Sequence, residues 1–266
     1  MKKSITSTII AAIAILLASC GCYKKGFCSS NVTFYKVPLV CPAAPNIGCG
    51  SKSKPVLLGL EKKSNVISEA WLNRSGTVIA VVWKENSSKE LQKLTADSVF
   101  QENKMDVTLI SGKEGKKTKT EFENKQNWYR GTNVDKLSVE EAEIIADRLI
   151  NRVNAKTPLS KEKSDSLRTG FIQVFTNRFT KNYSSEINSN EQKVFDENKT
   201  QMEENILAVG KKYLSELEMQ SLNDAIALGL RPTEEENNSC GNKDSKNGCC
   251  KPKKKESKGC CSKPNN

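Results

Sequence analysis

Apolar residues along this chain fall into two stretches with different rhythms, separated by a polar gap. In the first, residues 32–111, short runs of β-formers alternate with helical spacing. Residues 32–40 are rich in valine and aromatics and predict a strand with Pro38 near its end. Residues 53–63 place Val56, Leu57 and Leu60 at helical spacing, and Pro55 suits a first turn, where its missing N–H costs nothing. Residues 66–73 and 77–84 predict strands joined by Arg74-Ser75-Gly76, a turn whose glycine can take positive φ. Ser87 or Ser88 can cap a helix over 89–100 with Leu91, Leu94 and Val99 on its inner side, and 107–110 predicts a last strand.

The resulting order, β-α-β-β-α-β, is that of the ferredoxin-like split arrangement. Residues 112–136 are polar and lysine-rich and are expected to be a linker, with Trp128 and Tyr129 able to dock on a neighbour. The second stretch, 137–232, has helical rhythm. Ser138 and Glu141 have capping-box spacing, followed by Ile145, Leu149 and Val153. Further stripes hold Leu167, Phe171, Phe175 and Phe179, then Phe195, Met202, Ile206, Val209, Tyr213 and Leu217, then Leu222, Ile226 and Leu230 before Pro232. From 233 to 266 no apolar pattern remains, and this tail is expected to be disordered without a ligand. The expected class is therefore α+β: a ferredoxin-like domain over 32–111, a small helical domain over 137–232, and a disordered cysteine-rich tail.

Composition sharpens this picture at the ends. The chain has 266 residues, a formal charge of +11, ten cysteines and no histidine. Residues 1–19 combine Lys2 and Lys3 with the apolar run Ile9–Leu17, too short to span a bilayer comfortably. The run ends in Leu17-Ala18-Ser19-Cys20, which resembles the lipobox of bacterial lipoproteins. That resemblance implies cleavage before Cys20, lipidation of Cys20, and a tether over 20–31. Gly21 rather than aspartate follows, which favours the outer membrane over the inner. Export permits disulfides, yet nine cysteines remain after lipidation, so at least one thiol is free, intermolecular or metal-bound.

Residues 48–60 (Gly-Cys-Gly-Ser-Lys-Ser-Lys-Pro-Val-Leu-Leu-Gly-Leu), 65–73 (Asn-Val-Ile-Ser-Glu-Ala-Trp-Leu-Asn) and Gly76-Thr77-Val78 resemble the heavy-metal-associated (HMA) domain. That family includes copper chaperones, soft-metal domains of P-type ATPases and the periplasmic mercury-binding protein. Cys49 falls on the first cysteine of the family's Cys-x-x-Cys loop, Val56 and Leu60 on its helix anchors, and Val66, Ala70, Leu72 and Asn73 on its second strand. The resemblance covers less than a third of the chain, and Lys52 stands where the second metal cysteine would be. Lys52 favours the Cys49 thiolate but supplies no sulfur. Cys41, eight residues earlier, replaces the missing ligand or closes a disulfide with Cys49, and a third alternative is a fold kept after metal binding was lost.

The tail is a second candidate site. Cys249-Cys250 and Cys260-Cys261 are vicinal pairs, with Cys240 upstream and eight lysines between 243 and 263. A disulfide between adjacent cysteines is strained, since neighbouring Cα atoms are about 3.8 Å apart and bridged ones usually about 4.4–6.8 Å. Cross-pairing between the doublets is one alternative. Shared thiolate coordination of Cu, Hg, Zn or Cd is the other. Without histidine no Ser-His or Cys-His set exists, and no glycine-rich phosphate loop appears, so no enzyme is expected. The expected role is an envelope-anchored binder of soft metal through Cys41, Cys49, Cys240, Cys249, Cys250, Cys260 and Cys261. Its partners would be the membrane, through the lipid, and a metal transporter or other envelope protein, not nucleic acid. The alternative is a metal-free adaptor stapled by disulfides.

Overall fold

A computed structural model describes residues 31–181 and 191–239. The expected leader and lipidation site Cys20 lie outside these residues, as do Cys22, Cys28, Cys240, Cys249, Cys250, Cys260 and Cys261. Among the described residues the fold is α+β, with a five-stranded antiparallel sheet and eight helices. In chain order they are β1 (Val32–Lys36), α1 (Gly50–Lys62), β2 (Ile67–Asn73), β3 (Val78–Trp83), α2 (Lys89–Glu102), β4 (Thr108–Ile110), α3 (Gly112–Asn124), β5 (Trp128–Tyr129), α4 (Asp135–Lys156), α5 (Lys161–Lys181), α6 (Glu191–Gly210), α7 (Glu216–Ala227) and α8 (Glu234–Ser239). The strand order is β4-β1-β3-β2-β5, every neighbour antiparallel.

Alternation along β1 explains the layering. Tyr35 faces one side, where it joins Val56, Leu57 and Leu60 of α1 and Val99 and Phe100 of α2. Phe34 faces the other side, with Ala80, Ile110, Phe122 and Trp128. The sheet is therefore covered on both faces. The second cover is the segment 112–136, which is not the linker its polarity predicted. Phe122 of α3 meets Phe34, Trp71 and Trp128 edge-on at 5.8, 6.2 and 5.0 Å between ring centroids. Trp128 also pairs with Asn73 as β5 extends the sheet beyond β2. One phenylalanine and one tryptophan carry this docking, so the window average stays polar.

Other expectations need correction. Leu91 and Leu94 are exposed, because α2 buries Gln92, Ala96, Val99 and Phe100 instead. Pro55 sits a full turn inside α1, which already starts at Gly50, so the Ser51 carbonyl receives no N–H from it. Tyr213 and Leu217 are exposed, since α6 ends at Gly210 and a new helix begins at Glu216. Ser215 and Glu218 form a capping box there. The helical part starts at Asp135, and α8 extends it past 232 into residues expected to be disordered, because Thr233 and Glu236 cap that last helix reciprocally. Leu167, Phe171 and Phe175 form the helical core as the stripe predicted, with Phe179 stacked on Phe175 at 5.9 Å.

Long helix α4 belongs to both halves. Its N-cap Val134 and first-turn Leu137 join the sheet core, while Ile145, Leu149 and Val153 join the helical core. Ion pairs fasten it to the sheet half: Lys54 of α1 to Asp135 at 2.5 Å, and Arg74 of the β2–β3 turn to Glu140.

Candidate functional site: a buried thiol pair under helix α4

The cysteine loop, residues 37–49, is built by backbone bonds to the β2–β3 turn. The Leu39 N–H donates to the Gly76 carbonyl at 3.1 Å, and the Gly48 N–H to the Arg74 carbonyl at 2.7 Å. Gly76 has φ +72°, and a Cβ there would lie 2.5 Å from the Gly48 Cα. Two glycines therefore let turn and loop touch backbone to backbone. An isolated bridge pairs Val40 with Gly48, flanked by Cys41 N–H to Ile47 carbonyl (2.8 Å) and Cys49 N–H to Leu39 carbonyl (2.7 Å). The bridge folds the loop back on itself and brings Cys41 and Cys49 into one buried cluster with Ala44 and Ile47, capped by Ile144 of α4.

Both cysteines carry free thiols, 1 % and 6 % exposed. Cys49 is the N-cap of α1, where unpaired N–H groups and the helix dipole favour a negative charge. Cys41 shares the buried cluster of Cys49, and Ser51 Oγ lies 3.2 Å from the Cys49 sulfur. Together they pull the Cys49 pKa down to about 6 against the opposing effect of burial. The Lys52 N–H and ammonium add to this, although the N–H falls short of a formed capping bond. Cys41 is pushed far above the ordinary thiol range, by its bond to Cys49, by burial and by nearby Glu141. Within the pair, negative charge is therefore favoured on Cys49 and disfavoured on Cys41.

The third member of the cluster is one the sequence analysis did not place at a site, since Ser138 and Glu141 read there only as a capping box. Instead Ser138 lies inside α4, buried with its hydroxyl unpartnered. Glu141 is 6 % exposed beside the thiols, and its Oε2 is also unpartnered. Burial first, and the Cys49 charge second, raise its pKa to about 7. The signal was present: Leu137, Glu141, Ile145, Leu149 and Val153 recur every four residues, so Glu141 lies on the buried stripe. Gly50 permits the close contact, because a Cβ there would lie 2.4 Å from Ser138 Oγ and 2.8 Å from the Val134 carbonyl.

No family model matches this chain, and no curated protein or solved structure matches it. Among the described residues, no three or more Cys, Asp or Glu side chains are grouped to hold a metal ion. No described helix is long and apolar enough to cross a membrane.

Proposed function

We propose that this chain is an envelope lipoprotein, anchored through Cys20, that binds a soft metal ion between Cys41 and Cys49. It acts as a binding protein rather than an enzyme. The observation that carries the reading is the convergence of the two sulfurs, eight residues apart in sequence, at the N-terminus of α1. Cys41 thereby stands in for the sulfur that Lys52 does not supply. Two thiolates suit a soft ion of low coordination number such as Cu(I) or Hg(II), and Lys52 offsets the excess negative charge of such a pair.

The order β1-α1-β2-β3-α2-β4, with β4-β1-β3-β2 as the sheet sequence, supports a ferredoxin-like unit of the HMA type. Segment 112–136 would be an addition to that unit, covering its second face. The tail cysteines Cys240, Cys249, Cys250, Cys260 and Cys261 form a second binding region, and the recipient or donor would be a transporter or another envelope protein.

Anaerobic titration of the reduced chain with Cu(I) tests the central claim. Cys41→Ser and Cys49→Ser should each remove one equivalent from the total bound. An unchanged stoichiometry in both overturns it. The close approach of two thiols in a compartment that permits disulfides favours one other reading, a structural Cys41–Cys49 bridge and a metal-free adaptor. Mass mapping of native protein separates the two: a quantitative 41–49 bridge selects the adaptor. For the anchor, Cys20→Ser should release the protein from the membrane fraction.

A further inference from the structure

Cys41 and Cys49 are 1 % and 6 % exposed, so an ion reaches their sulfurs only after part of the cover moves. The parts of that cover are not equally firm. Helix α4 contributes to the sheet core and to the helical core, and α1 buries Val56, Leu57 and Leu60 in the sheet core. Neither helix can swing without opening a core. The two ends of the cysteine loop are held backbone to backbone, by the Val40–Gly48 bridge and by the bonds of Leu39 and Gly48 to the β2–β3 turn.

The loop's tip, residues 42–46, is held differently. Pro42, Pro45 and Asn46 are exposed, and the two prolines have no N–H to donate. The Ala44 N–H donates to the Cys41 carbonyl at 3.3 Å and the Ile47 N–H to the Ala44 carbonyl at 3.1 Å, both within the loop. The tip adds little to the apolar cover, since Ala43 and Ala44 each offer one methyl group. Among the described residues, the hydrogen bond that ties the tip to the rest of the fold comes from α4: Arg148 Nη1 donates to the Ala43 carbonyl at 2.7 Å. The same nitrogen donates to the Leu230 carbonyl at 2.6 Å. Leu230 is itself fixed, because Arg152, one turn further along α4, donates to the carbonyls on either side of it, those of Gly229 and Arg231, and to both carboxylate oxygens of Glu236. Arg148 is thus anchored on one side and holds the tip on the other.

We propose that residues 42–46 form a flap over the thiol pair and that Arg148 is its latch. The inference rests on the soft-metal reading above and adds how the ion enters and leaves. With the latch released, the tip hinges outward about the Val40–Gly48 bridge while α1, α4 and both ends of the loop stay in place. Such an opening is local and exposes little apolar surface, so it lies far below the unfolding of either core. Arg148 acts through the tip rather than on the ion. It is a positioning residue that sets the rates of uptake and release and leaves the affinity to the two sulfurs.

The test is alkylation of the reduced full chain by iodoacetamide without oxygen, read residue by residue by mass mapping. In the unaltered chain the Cys49 rate should stay flat through low urea, because opening the flap exposes too little surface to respond to denaturant. Arg148→Met should raise that rate by about tenfold or more, the worth of a hydrogen bond from a charged donor. Arg148→Lys, which can still donate to the Ala43 carbonyl, should return part of the way. Once the pair is loaded with Cu(I), an excess of a Cu(I) chelator should strip it faster in Arg148→Met, as followed at the amide signals of Gly50, Ser51 and Lys52, with the equilibrium loading unmoved. A Cys49 rate that climbs with urea in step with global unfolding overturns the flap, and this arm needs no variant. An alkylation rate unchanged in Arg148→Met, or one raised only along with a steep urea dependence, overturns the latch. Failure of excess Cu(I) to protect Cys41 and Cys49 from alkylation overturns the soft-metal reading and leaves the flap standing.

Discussion

Two regions of α4 take an ionisable side chain out of water, and they do so differently. Under residues 225–236, Arg152 meets three backbone carbonyls and a carboxylate, and each of its donor nitrogens has an acceptor. Three turns earlier on the same helix, Glu141 keeps an oxygen without a partner, and so does Ser138 beside it. A buried polar group without a partner costs about 1–3 kcal/mol. Folding alone gains nothing from leaving two of them next to a thiolate. The first region is finished by its own contacts. The second is unfinished, and the groups around it (two thiols, a carboxyl and a helix N-terminus) are of the kind found where titration is shifted for function.

The contrast can be broken at its stable end first. Arg152→Ala strands the Glu236 carboxylate and three carbonyls and should cost about 3–5 kcal/mol in urea denaturation. A loss under about 1 kcal/mol would deny that the network is structural.

At the unfinished end the effect should have the opposite sign. Glu141 has its pKa raised from the ordinary 4.5 to about 7, so the folded chain keeps a proton that the unfolded chain releases. Its contribution is full below pH 4.5 and is lost as the pH rises through 7. Cys49, lowered from 9 to about 6, contributes stability that is present above pH 9 and lost as the pH falls through 6. The two together place a stability minimum between pH 6 and 7. Glu141→Gln should erase the fall on the acid side and stabilise the protein at pH 8 by on the order of 2 kcal/mol, relative to its effect at pH 4. A parallel shift of the whole profile would mean that Glu141 is an ordinary packing group.

Gly50→Ala sharpens the same comparison, because its methyl would drive α4 away from the thiols. A cost of about 1–2 kcal/mol is expected, with loss of the Glu141 effect on the pH profile. The smallest change is Ser51→Ala, which should raise the Cys49 pKa from about 6 by less than roughly one unit, read from thiolate absorbance against pH.

Much of the sheet half was legible because its elements follow simple rhythms. β2 and β3 fall within a residue of their expected bounds, since turn residues 74–77 interrupt two β-rich runs. Helix α3 was illegible because only Thr118 and Phe122 of its thirteen residues are buried. At the site, the pairing of Cys41 with Cys49 stood open as one alternative, since cysteine spacing does not reveal a loop that doubles back through the Val40–Gly48 bridge. Glu141 was hidden by its residue type. Glutamate counts as polar in any hydrophobic pattern, and only its i+4 place between Leu137 and Ile145 betrays it.

The aromatic roof formed by Phe122 and Trp128 has a practical consequence for anyone hoping to cut out the thiol-bearing portion as a module. Excision at residue 111 would strip that roof and leave Phe34, Trp71, Ala80 and Ile110 facing solvent along one broad plane. Such a fragment would self-associate before its sulfurs could be assayed, so the boundary of any usable piece lies beyond Tyr129.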